Sequence, residues 1–209
     1  MLQHVLIGDV AVALLVLAVR GPLLYFLLPP RFMRPLARSS GLRALTRFLL
    51  RPVVSLSIWV LSLAAWHVPA AYEFALTHPL AHDLEHASFI LGGLLLWMQL
   101  IDPSRRRALR HSGRLAFALI VFACGQVLAD VLVFSFEPLY GAYVAQDERL
   151  LGLSPEADQQ FAGLVMMGEQ LVTVGTFVAV MVAAAHKKTG PLGRGRPGLA
   201  RSSADKVEA

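Results

Sequence analysis

Five long apolar runs restrict this chain to folds in which helices cross a lipid bilayer. The runs are Val5–Leu28, Pro52–Val68, Leu80–Ile101, Arg114–Phe136 and Phe161–His186. Each approaches or exceeds the roughly 20 apolar residues that a helix needs to cross the hydrocarbon layer, and the second run is the shortest. We therefore predict an all-α fold, a polytopic membrane helix bundle with five transmembrane helices.

The composition excludes the ordinary soluble classes. Hydrophobic residues make up 56% of the 209 residues and charged residues only 16%, which is too apolar for a soluble domain of this length. The net charge is +5, but the basic residues are confined to segments between the apolar runs, so nucleic-acid binding is not expected. The single cysteine, Cys124, rules out a disulfide framework and a CxxC metal motif.

The basic residues predict the orientation of the helices. Residues 31–51, 105–114 and 187–206 hold six, five and six of the nineteen Lys and Arg residues, and they alternate with acidic segments. Because positively charged loops stay in the cytoplasm, we predict that the N-terminus lies outside and the C-terminus in the cytoplasm. Residues 1–188 then form one transmembrane domain, and residues 189–209 form a disordered, basic cytoplasmic tail.

Four of the seven histidines lie within twenty residues, at the side predicted to face outward. His82 and His86 are four residues apart on a helix that Pro79 should start, so they share one face, with Glu85 beside them. His67 ends the preceding run at the same level. Two imidazoles one turn apart and a third across a short hairpin can converge on one metal ion. The alternative is interhelical hydrogen bonding, the usual role of a histidine in a membrane helix.

Polar residues of the later runs lie at a matching depth. Asp130 can pair with a cation or a histidine, or can make a structural hydrogen bond. Asp158 opens the fifth run and equally suits the first turn of a helix, and Met166 would ordinarily fill the core. His78 precedes a proline and is expected in a loop. If a metal binds, imidazole and thioether ligands without a thiolate favour copper, with zinc as the second choice.

At these positions the chain resembles the CtaG family of cytochrome c oxidase assembly factors. The matching elements are Trp66-His67-x-Pro69, Tyr72 with Ala75-Leu76, His82-x-x-Glu85-His86-x-x-Phe89 with Gly92 and Trp97, and Asp158-Gln159-Gln160-x-Ala162-Gly163-x-x-Met166. The resemblance covers residues 52–185 and is weak in the first run. Family members commonly have further spans. They also often have Trp and Pro after the last Met, where this chain has Met167-Gly168-Glu169.

The resemblance implies an assembly factor, not an enzyme, in the bacterial cytoplasmic membrane. Such a protein would hand copper to a subunit of a haem–copper oxidase at the outer face, and an external copper donor and the bilayer would be its other partners. The resemblance implies His67, His82 and His86 as copper ligands, with Met166 and Asp158 in supporting roles. We expect Glu85 and Asp130 to orient these ligands through hydrogen bonds.

Two other functions fit the same residues. His82-Asp83-Leu84-Glu85-His86 matches H-x-x-E-H, a zinc protease pattern in which Glu85 would be the general base. The pattern is short, and the chain has little soluble sequence from which to form a substrate cleft. His67 and His86 could instead be axial ligands of a haem held between two helices.

Overall fold

The computed structural model describes residues 2–19, 38–103, 108–145 and 152–189, and all regular structure in these ranges is helical. Helix α1 consists of Leu2–Val5 and Ala11–Val19, joined by the π-helical turn Leu6–Val10. The other helices are α2 (Ser40–Leu49), α3 (Pro52–Trp66), α4 (Pro69–Thr77), α5 (Pro79–Ile101), α6 (His111–Phe134), α7 (Gly141–Val144) and α8 (Pro155–Thr189). The predicted all-α class is confirmed.

Within the described residues, three helical stretches are long and apolar enough to cross a membrane: Pro79–Ile101, His111–Phe134 and Pro155–His186. Helices α2 and α3 meet that criterion only as a pair, and a bend of 71° separates them. The apolar helix Leu2–Ala18 is shorter, and most of the remainder of the first predicted run lies outside the described residues. The chain is thus a membrane protein with three candidate spans, or four if the bent pair counts as one. Five spans and their orientation stay predictions.

The final helix is longer than its apolar run. It begins at Pro155, before the predicted start at Phe161, because Ser154 caps it by accepting a hydrogen bond from the backbone N–H of Ala157 at 3.2 Å. It continues to Thr189, the first residue of the predicted tail. The rest of that tail lies outside the described residues.

Prolines set the helix boundaries near the histidines. Pro69 and Pro79 each lie in the first turn of a helix, α4 and α5 respectively. A proline forces the preceding residue into extended backbone, as at His78 with φ −125° and ψ 106°, so the prediction of a non-helical residue there is confirmed. The sequence predicts a loop over residues 69–79, yet the structure has the nine-residue helix α4 there. Its proline start and its alanines favour helix over loop.

Two glycines let α1 and α5 cross in close contact. A Cβ atom on Gly93 would collide with the carbonyl oxygen of Gly8, so only glycine permits this approach. The helices run in the same direction, because the contacts advance together from Gly8 opposite Gly93 to Asp9 opposite Trp97. Their N-terminal ends therefore lie side by side.

Helix α3 lies antiparallel to α5. Trp66 Nε1 donates a hydrogen bond to Ser88 Oγ at 2.8 Å near one end, and Gln99 Nε2 donates to Ser55 Oγ at 3.0 Å near the other. The C-terminal end of α3 thus joins the N-terminal ends of α1 and α5. The same end of the bundle carries all the histidines from 67 to 86.

The apolar core lies between the histidine end and the opposite end of the bundle. Leu96 and Leu100 of α5 pack there with Ala118 and Val121 of α6 and Val174 of α8, each at most 2% exposed. Below this core, Arg114 donates from its guanidinium to the carbonyl oxygen of Leu100 at the C-terminal end of α5. The bundle therefore has a histidine end and a basic end, separated by packed aliphatic side chains.

Candidate metal centre

Three histidines from two helices meet at the N-terminal ends of α1 and α5. Each of His4, His82 and His86 places one ring nitrogen within 4.8 Å of those of the other two. The ring centroids of His82 and His86 are 4.2 Å apart, and those of His4 and His86 are 5.0 Å apart. In a tetrahedral site, metal–nitrogen bonds of about 2.0 Å place ligand nitrogens roughly 3.3 Å apart, so small ring rotations close this set around an ion. We call it the histidine trio.

The sequence accounts for the two histidines on α5. They follow Pro79 by less than two turns and share one helical face, as predicted from their spacing. Nε2 of His86 is buried and has no hydrogen-bond partner in the described part of the chain. A buried imidazole nitrogen that has lost water without gaining a partner costs free energy, and a metal ion would satisfy it.

His4 is the ligand candidate that sequence reasoning missed. It lies one turn before Gly8, on the face of α1 that crosses α5, and the crossing brings it to His82 and His86. No motif marks His4, and the family pattern is weak in this run. The available signal was its position: a histidine just before an apolar run whose start is predicted to lie at the same end as the other histidines.

Glu85 lies behind the trio. Its side chain is buried, 2% exposed, and Oε1 lies 3.8 Å from Nδ1 of His4. This distance is longer than a hydrogen bond, and a carboxylate this close favours one orientation of the His4 ring through its charge. Glu85 thus lies beside His4, the histidine that the sequence did not reveal, and its orienting role stays a prediction.

A cavity of about 70 Å³ lies beside the trio. Its walls come from α1, α3, α5 and α8, together with the residue that follows α3. The lining residues whose side chains can ligate a metal ion are His4, Asp9, His67, Met166, Glu169 and Gln170. This volume is enough for an ion with a few water molecules. The cavity joins the histidine end of the bundle to polar groups deeper inside.

His67 lines this cavity and is not part of the trio. Its Nδ1 lies 2.7 Å from the carbonyl oxygen of Leu63. Because a carbonyl only accepts, Nδ1 carries the proton and Nε2 keeps its lone pair. That Nε2 is buried, and no described residue pairs with it. The Tyr140 hydroxyl donates to the His67 carbonyl at 3.2 Å and fixes this end of α3.

The other residues singled out in the sequence separate into two groups. Met166 is 6% exposed and lines the cavity with His67, so these two predicted ligands come together. Asp158 lies two turns earlier on α8, about 12 Å away along the axis, and lines a different cavity of about 350 Å³ beside Tyr140. Asp130 lines neither cavity. The structure therefore does not bring Asp158 or Asp130 to the trio.

His78 belongs neither to the trio nor to the lining of the cavity beside it. It is exposed, its ring stacks on Phe74 with centroids 4.0 Å apart, and its Nδ1 lies 2.9 Å from Thr77 Oγ1. These local contacts account for His78 without a ligand.

Comparison with known proteins gives one result. The family model described as the cytochrome c oxidase caa3 assembly factor (Caa3_CtaG) matches residues 1–188. Neither the curated proteins nor the solved structures provide a significant match. The family model covers the first helix, where the sequence resemblance was weak, and so includes His4. The chain belongs to the family of cytochrome c oxidase caa3 assembly factors.

Proposed function

We propose that this assembly factor binds copper through the histidine trio and passes it to a subunit of a haem–copper oxidase. The observation that carries the proposal is the approach of three ring nitrogens, from two helices, to within 4.8 Å of one another. Family membership supports the destination, because the family is one of cytochrome c oxidase assembly factors. Copper is the cargo here and not a resident cofactor.

The donor set favours copper over other ions. Imidazole binds copper and zinc well, and copper stands first in the stability order of the divalent ions. The Met166 thioether and the His67 imidazole line the adjoining cavity, and both are ligands that Cu(I) accepts. We propose the trio as the entry position for the ion, and His67 and Met166 as the next groups that it meets.

The charge distribution supports an outward-facing trio. The histidine end lies opposite the end at which Arg114 contacts the C-terminus of α5, and basic segments mark the cytoplasmic side of a membrane protein. Copper supplied from outside a bacterial cytoplasmic membrane would then reach the trio without crossing the bilayer. Reporter fusions after Ala75 and after Arg107 test this, with external and cytoplasmic signals expected respectively.

The alternatives from the sequence fit the geometry less well. A haem site needs a pocket of several hundred Å³, and the cavity near His67 measures about 70 Å³. The protease reading needs Glu85 to activate a water that attacks a substrate, but Glu85 is buried behind His4. A metal carrier requires neither a haem pocket nor a substrate cleft.

Metal analysis of the purified protein tests the proposal. Wild type is compared with the His82→Ala, His86→Ala double variant after loading with Cu(I) and removal of free metal. We expect one tightly held copper in wild type and none in the double variant. His111→Ala, a histidine at the basic end, serves as the matched control and should bind like wild type. Equal copper in all three proteins would contradict the proposal.

Copper per oxidase in cells tests the delivery step. Cells that carry the double variant should contain oxidase polypeptide that is poor in copper, and excess external copper should restore part of it by mass action. Fully loaded oxidase, at equal membrane abundance of the variant, would show that the trio does not serve delivery.

A further inference from the structure

Two half-buried carboxyl groups line the inner end of the cavity. Asp9, in the π-helical turn of α1, and Glu169, on α8, both line this cavity. Thr173 Oγ1 donates to Asp9 Oδ2 at 3.0 Å, and Trp97 Nε1 donates to Asp9 Oδ1. Asp9 follows His4 by five residues, so the pair lies about 8 Å deeper along the axis than the trio. Two carboxyl groups that line one small cavity in an apolar interior do not both carry an uncompensated charge, so they hold a proton between them or a cation.

Two side-chain oxygen atoms at this end of the cavity have no hydrogen-bond partner among the described residues. Glu169 Oε1 and Gln170 Oε1 are both buried and have no hydrogen-bond partner within the described ranges. Both residues line the cavity, and Gln170 is only 8% exposed. Native proteins rarely leave buried acceptors unpaired, because a buried acceptor that has lost its water costs free energy. Atoms left in this state in a cavity point to a missing donor or cation.

The backbone is built to hold these groups in place. A Cβ atom on Gly125 of α6 would overlap the Gln170 amide, so the glycine makes room for that side chain between α6 and α8. The π-helical turn offsets Asp9 from regular helical spacing, and such turns are frequent at functional sites. Buried acidic groups in a membrane helix are costly and are retained where they serve ions or protons.

We propose that the inner end of the cavity is a second cation position, distinct from the trio, in which Glu169 Oε1, Gln170 Oε1 and the Asp9 carboxylate hold a divalent ion. Carboxylate and amide oxygens suit hard ions of the Mg²⁺, Ca²⁺ and Mn²⁺ class and suit Cu(I) poorly. Two carboxylates neutralise a divalent charge, which removes most of the penalty for placing it inside the bundle. We call this second cation position, formed by Glu169, Gln170 and Asp9, the oxygen position. It goes beyond the proposed copper function and does not depend on it.

Manganese is the probe that tests the oxygen position. Purified, metal-stripped full-length protein in detergent is titrated with Mn²⁺, and free Mn²⁺ is followed by its electron paramagnetic resonance signal. Wild type should bind one Mn²⁺ that Cu(I) at one equivalent does not displace. Glu169→Gln should weaken Mn²⁺ binding by more than about 10-fold, since it removes a ligand charge and not merely an outer partner. Asp158→Asn, the same type of change on the same helix, should have no effect.

A second pair of variants separates the oxygen position from folding and from the trio. Gln170→Glu replaces one ligand oxygen by a charged one and should tighten Mn²⁺ binding, an effect that damaged folding cannot produce. The His82→Ala, His86→Ala variant should lose Cu(I) and keep Mn²⁺, so failure of the copper proposal and failure of this one are distinguishable. Absence of Mn²⁺ binding by wild type at millimolar concentration would overturn the inference. Equal Mn²⁺ affinity in wild type and Gln170→Glu would overturn it too, because the ion would then bind without the Gln170 oxygen.

Discussion

The two ends of the cavity are built from different atoms in different settings. At one end, His4, His82 and His86 lie in the first two turns of two helices, where an ion can arrive. At the other end, Asp9 of α1 and Glu169 of α8 line the cavity inside the bundle. Imidazoles at a helix end can remain without an ion, because an imidazole needs no charge. Carboxylates inside the bundle must share a proton or hold a cation. The position of each donor type in the bundle thus matches the cost of keeping it without an ion.

The largest expected effect comes from removing an imidazole of the trio. His86→Ala should lower copper affinity by more than the roughly 10–100-fold that loss of an outer hydrogen-bonding partner costs, because a metal–nitrogen bond itself is lost. His78→Ala is the matched control: it lies at the same end, but is exposed and stacked on Phe74. Competition with a Cu(I) chelator measures both affinities. Equal copper affinities in the two variants would show that His86 matters no more to copper binding than an exposed histidine does.

The next effect tests the helix crossing that unites the two ends. Gly93→Ala should destabilise the bundle by about 1–3 kcal/mol, because the new methyl group collides with the Gly8 carbonyl and pushes α1 away from α5. Gly168→Ala, at which an added Cβ meets nothing within 4 Å, is the control. Thermal unfolding in detergent gives the stability. Copper affinity is measured on the same two variants. It should fall only in Gly93→Ala, since only that substitution moves His4. An unchanged affinity would show that the crossing does not position His4.

A smaller effect is expected from Glu85, which orients a ligand and does not bind the ion. Glu85→Gln should weaken copper binding by about 10-fold and leave the stoichiometry at one ion, because the amide still contacts His4 but no longer carries a charge. Isothermal titration gives both numbers. Asp83→Asn, an exposed neighbour on the same helix, is the control. Loss of copper in Glu85→Gln as complete as in His86→Ala would make Glu85 a ligand.

The smallest effect is expected at Asp158. Although the family pattern includes it, Asp158 lies about 12 Å from Met166 along α8 and lines the other cavity. Asp158→Asn should therefore change copper affinity by less than about 2-fold, well below the effect of an outer partner. A change as large as that of Glu85→Gln would mean that the second cavity communicates with the trio.

Local patterns predicted much of the histidine end. The spacing of His82 and His86 after Pro79 is a property of one helix, and the structure confirms their shared face. The helical class and the membrane character also follow from apolar runs. These features depend on residues that are close together in the sequence.

The remaining features depend on how helices cross. His4 joins the trio because Gly8 and Gly93 allow α1 to lie against α5, and a single glycine in each run does not reveal its partner. Likewise, the sequence marks Glu169 only as a departure from the family pattern, since nothing local places it in one cavity with a carboxyl group 160 residues earlier in the sequence. The loop predicted at residues 69–79 became α4 because a proline can begin a helix as readily as end one.

The most direct test of the account is the copper coordination of the His4→Ala variant. Copper K-edge absorption of the Cu(I)-loaded wild type should show three imidazole nitrogens at about 2.0 Å, the usual metal–imidazole distance. His4→Ala should show two, with weaker binding, while Gln3→Ala, its exposed neighbour, should match wild type. An unchanged copper spectrum and affinity in His4→Ala would contradict the claim that α1 and α5 build the metal centre together.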